Sequence, residues 1–194
     1  MAGRPRTFDG EDVIRKASEV FWLKGYEAAS AEELLAAMNM GKGSFYLHFK
    51  GGKKELYQKS LALYSEDRLK IFNTGLGEAT DKVNYIKEFL LSVTVSTRER
   101  KSKGCYIGNG LIEMANLDTE TRDQASALLT KLEKVFKVVI IEAQQSGRLK
   151  TKADPAVLAR YLLNLRNGLW VTARMKQDQI VFKKMVGLSL EILN

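Results

Sequence analysis

Three observations make this chain all-α. Its two prolines are Pro5 and Pro155, so the long stretch between them lacks the residue that most reliably interrupts a helix. Apolar residues recur along that stretch at three- and four-residue intervals, the period of a helix with one buried face. Strand signals are weak. The β-branched run Val138-Val139-Ile140-Ile141 lies inside a helical pattern from Leu128 through Leu132, Val135, Phe136 and Val139 to Ala143. The expected organisation is a small N-terminal domain over residues 1–52 and a larger helical domain over 53–194.

The first helix is expected over roughly Asp9 to Lys24, with Asp9 as N-cap and Gly25 as its stop. Val13, Ile14, Ala17, Val20 and Phe21 form its apolar stripe. The second opens with Ser30-Ala31-Glu32-Glu33, a capping box in which Ser30 and Glu33 satisfy each other's free amide donors. Leu34, Leu35, Ala37 and Met38 supply its apolar face. Asn39-Met40-Gly41 forms a turn, because Asn and Gly favour turn conformations. The third helix then starts with Lys42-Gly43-Ser44-Phe45-Tyr46-Leu47-His48-Phe49. A fourth starts near Lys53 and runs beyond Leu69, with the glycine-containing stretch Asn73 to Gly77 as a hand-over to the second domain.

In the second domain Thr80 caps a helix over about Asp81 to Arg98, and the polar, basic stretch Arg98 to Gly104 reads as a loop. A shorter helix follows over about Tyr106 to Ala115. Asp118 or Thr119 begins a long helix ending at Ser146-Gly147. Asp154-Pro155 is a strong start signal, Asp capping and Pro in the first helical position. That helix continues to about Lys176, and a last one covers about Gln179 to Leu193.

Composition excludes several classes. With 194 residues and 45% hydrophobic content the chain can bury one sizeable core or two modest ones. No stretch of about eighteen residues lacks charge, so no membrane partner is expected. The opening MAGRPRTFDGED lacks the apolar segment of a secretory signal. Cys105 is the single cysteine, so no intrachain disulfide forms, and the expected setting is the reducing cytoplasm. One His and one Cys cannot build a multi-histidine or two-cysteine metal site. No glycine-rich phosphate loop is present. No metal, no cofactor and no enzymatic activity are expected.

The net charge of +8 suits a polyanionic partner, but its distribution says more. Residues 1–60 hold ten Lys/Arg against eight Asp/Glu, and the acids sit on the first two helices. Residues 40–60 carry Lys42, Lys50, Lys53, Lys54 and Lys59 against Glu55 alone. Two short helices joined by a tight turn, the second one basic, make a helix-turn-helix whose second helix can lie in the DNA major groove. Lys42 suits a phosphate, and Gly43 lets the backbone approach closely. Ser44 and Tyr46 offer hydroxyl donors, while Phe45 and Phe49 anchor the helix from its buried side. His48 and Lys53 can donate to phosphates. Arg4 and Arg6 lie in an arm, Gly3-Arg4-Pro5-Arg6, of the kind that enters a minor groove.

These residues resemble the TetR/AcrR family of transcriptional repressors. The resemblance lies in Gly25-Tyr26, Ser30 to Leu34, and Lys42-Gly43-Ser44-Phe45-Tyr46 followed by His48-Phe49. The opening GRPRTFD and Phe21-Trp22 are similar to one bacterial branch of it. The resemblance implies an all-helical homodimer of about nine helices per chain. The first three bind a double-stranded DNA operator, the next four enclose a small-molecule effector, and the last two form a four-helix bundle with the dimer mate. It also gives Ser30, Lys42, Ser44, Tyr46, His48 and Lys53 DNA-contacting roles. Two departures stand out: Asn39-Met40 replace the usual Gly and Val of the turn, and the link from Phe49 to Leu56 is one residue longer than usual. Either Lys53 or Lys54 therefore meets the phosphate.

Candidate effector-pocket residues are Cys105, Tyr106, Asn109, Met114, Trp170 and Arg174, with Met175 beside them, which combine aromatic, polar and soft apolar surface. Each also fits plain core packing. Cys105, with Lys101 and Lys103 near and a predicted helix start beside it, is either a reactive thiol that senses electrophiles or a buried, inert one. For self-association the stripes are Leu158, Tyr161, Leu162, Leu165 and Leu169, then Met185, Leu188 and Ile192. A two-fold dimer would hold its reading helices roughly 34–36 Å apart, or a multiple, and match a palindrome. The expected mechanism is repression relieved by an effector. The competing class is a helical ligand-binding adaptor without specific DNA binding.

Overall fold

The computed structural model describes residues 10–176 and 178–194. Asp9, Arg4 and Arg6 lie outside the described residues. Ten α-helices and a closing 3-10 turn over Glu191–Leu193 make up the fold, with no strand among the described residues. The chain divides into two compact units, Met1–Asp67 and Arg68–Asn194. The division falls within the fourth helix, whereas the sequence boundary at 52/53 marks the start of that helix.

The first unit contains α1 (Gly10–Lys24), α2 (Ala31–Met38), α3 (Lys42–His48) and the beginning of α4 (Gly52–Glu78). Its core takes Val13, Ala17, Phe21 and Trp22 from α1, Leu34 and Met38 from α2, Phe45 and Phe49 from α3 and its end, and Leu56, Tyr57 and Leu61 from α4. Aromatic contacts give that small core definite geometry. The Phe21 and Tyr57 rings meet edge-on with centroids 4.8 Å apart, and Trp22 meets Tyr64 at 5.0 Å. Such pairs contribute about 0.5–1.5 kcal/mol beyond their buried area. Arg15 joins the two ends of the unit, donating at 2.9 Å to Glu11 and at 2.9 Å to Asp67.

In the second unit, α5 (Lys82–Val95), α6 (Arg98–Lys103), α7 (Tyr106–Met114), α8 (Thr119–Gln145), α9 (Pro155–Thr172) and α10 (Gln179–Ser189) follow the end of α4. The long α8 packs against both α7 and α9, and α10 packs on α5. Phe72, Phe89 and Phe136 form an aromatic cluster, with Phe72 4.6 Å from Phe89 and 5.9 Å from Phe136. Asp154 caps α9 through Oδ1, which accepts from the amides of Ala156 at 2.7 Å and Val157 at 3.2 Å, with Pro155 in the first turn as its sequence required.

The structure corrects several expected boundaries. The stretch from Arg98 is not a loop but the helix α6, because Thr97 Oγ1 caps it by accepting from Arg100 N at 3.1 Å, and Glu99 pairs with Lys103 at 2.9 Å one turn on. Asn73 to Gly77 does not end α4, which runs on to Glu78. Gly75 is there for space: a Cβ on it would stand 2.8 Å from Tyr85 Cζ. The cap of α5 is Asp81 rather than Thr80, with Oδ1 accepting from Asn84 N at 3.0 Å, and the helix stops at Val95. Helix α9 ends at Thr172, short of Lys176, and the last turn of the chain tightens to a 3-10 turn.

Candidate nucleic-acid interface

The reading head is built from the turn outward. Ser30 has extended backbone, and its Oγ accepts from Glu33 N at 3.2 Å while Ser30 N donates to Glu33 Oε2 at 3.2 Å. The capping box read from sequence is therefore present. Glu33 also pairs with Lys24 of α1. That lysine first, and then the Ser30 amide and hydroxyl, hold the Glu33 carboxyl below the ordinary glutamate value. The box thus fixes the start of α2 and ties it to α1.

Asn39 ends α2 in the left-handed conformation at φ 51°, and its amide donates to Ala36 O at 3.0 Å. Asn tolerates this region better than other non-glycine residues, which explains how it replaces the usual glycine. Met40 N donates to Leu35 O at 3.0 Å, and α3 begins as Phe45 N donates to Gly41 O at 2.9 Å.

Helix α3 is two-faced. Phe45 and Phe49 are buried, their rings 5.3 Å apart. Lys42, Gly43, Ser44, Tyr46, Leu47 and His48 are all exposed. Nothing stands within 4 Å of where Gly43 would carry a Cβ, so the backbone there is open to close approach. Lys42 and Lys50 form no ion pair among the described residues. Leu47 is 75% exposed, beside Tyr46 at 55%. Sequence reasoning missed Leu47, because an apolar residue between two core aromatics reads as core. The signal was in the spacing: two residues from both Phe45 and Phe49, it points to the opposite side of a helix.

At the start of α4, Gly52 takes φ +65°, and the amide of Gly51 donates to Glu55 Oε2 at 2.7 Å. The longer link between Phe49 and Leu56 resolves into this turn. Lys59 first, then the Gly51 amide, lower the Glu55 carboxyl below its ordinary value. Lys53 turns back on its own unit, its Nζ donating to Glu27 O at 3.2 Å and lying 4.6 Å from the Tyr26 ring centroid. Lys54 is half-buried.

The second unit gathers some of the candidate effector residues around the α6–α7 corner. Cys105 is buried, and its Sγ accepts from Gly108 N at 3.4 Å and from Arg166 Nη1 at 3.4 Å. Arg174 donates to Ser102 O at 3.1 Å, to Lys103 O at 2.7 Å and to Asn109 Oδ1 at 3.1 Å. Asn109 Nδ2 donates to Lys103 O at 2.8 Å. Asn109 and Arg174 are therefore engaged in holding the end of α6. Trp170 is buried beneath Arg100, whose Cζ stands 3.9 Å from the indole ring centroid. Tyr106 and Met114 are core residues, and Met175 is exposed. Two surface grooves lie elsewhere in the unit, one of about 260 Å³ at Leu76, Val135, Val138 and Glu142, the other of about 490 Å³ at Val95, Ile180, Lys183 and Lys184. Neither is lined by any of the candidate effector residues. Arg166, Asn167 and Phe89 were not singled out from the sequence, although Arg166 is the one charge in the run Leu162 to Trp170.

Among the described residues no group of three His, Cys, Asp or Glu could hold a metal ion, and no helix is long and apolar enough to cross a membrane.

Comparison with known proteins agrees with this construction. Residues 13–59 match the family described as bacterial regulatory proteins, tetR family, and residues 83–186 match the tetracyclin repressor-like C-terminal domain. The chain belongs to the TetR family, and is a helix-turn-helix transcriptional regulator rather than an enzyme. It is 29% identical to the uncharacterised HTH-type transcriptional regulator YezE of Bacillus subtilis, over 99% of this chain and 100% of that one. It is 23% identical to the HTH-type transcriptional repressor DhaR of Mycobacterium sp. strain GP1, over 97% of this chain and 93% of that one. A cysteine mutant of the TetR-family regulator CifR, in complex with 26-bp double-strand operator DNA, superimposes with a TM-score of 0.80 at 25% identity, over 99% of this chain and 100% of that one.

Proposed function

We propose that the protein is a dimeric repressor that occupies a palindromic operator and leaves it when a small organic effector binds the second unit. The observation that carries the DNA half of this reading is the division of α3. Two buried aromatics fix one side, while Lys42, Ser44, Tyr46, Leu47 and His48 stand exposed on a short helix. Lys42 and Lys50 supply phosphate contacts, Ser44 and Tyr46 supply hydroxyl donors, and Leu47 fits a thymine methyl, the apolar feature of the major groove. Arg4 and Arg6 supply a minor-groove arm. Ser30 and Lys53 join them at the phosphate backbone, in addition to their contacts within the head. The CifR complex with operator DNA and the naming of DhaR as a repressor support the same assignment.

The dimer reading is supported by two exposed stripes. Along α9 and just past it, Val157, Tyr161, Asn164, Gly168, Val171 and Met175 are exposed at alternating intervals of four and three. On α10 and the turn after it, Val181, Met185, Leu188 and Ile192 repeat the same alternation. This is the heptad spacing of helices that pack on other helices. The stripe named from sequence on α9 differs, because Leu158, Leu162 and Leu169 are buried within the chain's own core. A second copy offering the same two stripes would cover them in a two-fold interface.

An effector that binds one conformation of the second unit better than another shifts the population, and operator affinity falls by the same coupling. Repression of this kind places the protein's work in the cytoplasm, beside the chromosome. The test is titration of the full-length protein against DNA upstream of its own coding region, at several salt concentrations, with light scattering of the free protein alongside. A repressor dimer binds that site far more tightly than scrambled DNA, with affinity falling steeply as salt rises. Equal binding to scrambled DNA would leave the adaptor reading standing instead.

A further inference from the structure

Arg166 of α9 faces the first turn of α7. Its partners are poor ones for a guanidinium: Cys105 Sγ at 3.4 Å and the Phe89 ring, whose centroid lies 5.4 Å from Cζ. Among the described residues no carboxylate comes within ion-pair distance of it. A half-buried guanidinium with five N–H donors and one weak sulfur acceptor is under-satisfied.

Two nearby polar atoms on the same helix share that condition. Asn167 Oδ1 and Trp170 Nε1 are both buried without a hydrogen-bond partner, and Trp170 as a whole is only 6% exposed. Buried polar atoms of this kind are uncommon and call for an explanation. Gly108 brings the start of α7 close to this place: a Cβ there would lie 3.3 Å from Cys105 Cβ, 3.4 Å from Cys105 Sγ and 3.8 Å from Asn167 Oδ1. Trp170 follows Arg166 by one helical turn, on the same stripe of α9. The groups are thus a cation with free donors, an indole donor, an amide acceptor and an aromatic face.

We propose that this place binds a small carboxylic acid with an aromatic or apolar body. Arg166 and the indole N–H of Trp170 take the carboxylate, Asn167 Oδ1 accepts from a hydroxyl on the ligand, and Phe89 covers the ring or chain. A carboxylate satisfies a guanidinium with paired, charge-assisted hydrogen bonds. A neutral ligand would leave the cation uncompensated. The proposal rests on the reading of the second unit as the effector domain, and it names the chemical class of the effector.

The probes are benzoate, salicylate and the neutral benzamide, titrated into the full-length protein by isothermal calorimetry, with thermal melting as a second readout. Both carboxylates should bind saturably and about tenfold or more tighter than benzamide. Arg166→Gln should weaken them by about tenfold or more, with Arg166→Lys in between. Failure of both carboxylates to bind, equal binding of benzamide, or undiminished binding by Arg166→Gln would overturn the proposal. The comparison of charged and neutral probes needs no variant, so it decides even if Arg166→Gln does not fold. Operator binding by the ligand-free protein, measured in parallel, keeps the two readings apart. Intact operator binding without carboxylate binding sinks this proposal alone, whereas loss of operator binding sinks the regulator reading.

Discussion

Arg174 closes over Gly104: a Cβ on that glycine would lie 2.6 Å from the guanidinium carbon. The same arginine donates to the carbonyls of Ser102 and Lys103, the last residues of α6. Gly104 also has φ +66°, a region that side chains avoid. Backbone conformation and a charged lid thus exclude any larger residue at this corner. Gly104→Ala should destabilise the protein by about 1–3 kcal/mol, from strain plus displacement of Arg174. Urea unfolding would check this as a lower midpoint at unchanged slope, and an unaltered midpoint would refute it.

The two faces of α3 should separate stability from DNA affinity. Phe45→Ala removes a buried ring and should cost about 3–5 kcal/mol of folding stability. Leu47→Ala and Tyr46→Ala, on the exposed face, should change stability by about 0.5 kcal/mol or less while weakening the specific complex. Lys42→Ala should weaken all DNA and reduce the salt slope by about 1. Thermal melts paired with fluorescence anisotropy on operator and scrambled duplexes distinguish these outcomes. If Leu47→Ala binds operator as tightly as wild type, that side chain makes no base contact.

Acid should loosen the protein in a definite window. Glu33, Glu55 and Asp81 all have carboxyls held below their ordinary values, Asp81 chiefly by Arg148 and then by the Asn84 amide. A depressed folded-state value means the unfolded chain takes up protons first as pH falls. The stabilisation is therefore complete above the ordinary glutamate value of about 4.5 and is lost as pH drops through the lower folded values. Asp81→Asn keeps an N-cap side chain for α5 but removes the titrating charge. Its melting temperature should fall less steeply than that of wild type below about pH 3.8, the ordinary aspartate value. Parallel curves would show that Asp81 adds nothing to the acid response.

Gly168 stands in the middle of the exposed stripe on α9, with nothing within 4 Å of where a Cβ would be. In the free chain a side chain there is harmless, and leucine should raise helix propensity by about 0.5–1 kcal/mol. Between two packed copies it would hold the helices apart. Gly168→Leu should therefore leave or raise the stability of the single chain while weakening the dimer, read by sedimentation across a concentration series. A dimer of wild-type strength in this variant would move the interface away from Gly168.

The helices were legible wherever a cap and an apolar period agreed. Ser30 with Glu33, and Asp154 with Pro155, marked helix starts that the structure reproduces. Sequence reasoning failed where one residue type has two physical uses. Gly75 reads as a helix stop but is required by the approach of Tyr85, and that neighbour is invisible along the chain. The polar run after Arg98 reads as a loop, yet its helix is closed at the far end by Arg174, some seventy residues away. The exposed surface of α3 followed from its two aromatics. The unsatisfied group around Arg166 did not, because what Arg166 meets, Cys105 and Phe89, lies far from it along the chain.

Arg100 of α6 stands over the indole of Trp170 on α9. The chain has only one other tryptophan, Trp22, in the first unit. With Trp22 changed to Phe, ultraviolet emission would come from a single chromophore with a cation resting on its ring. A displacement of α6 would alter that contact and with it the intensity and wavelength of the light. The protein therefore carries its own optical gauge of the corner between α6 and α7, readable without an attached dye.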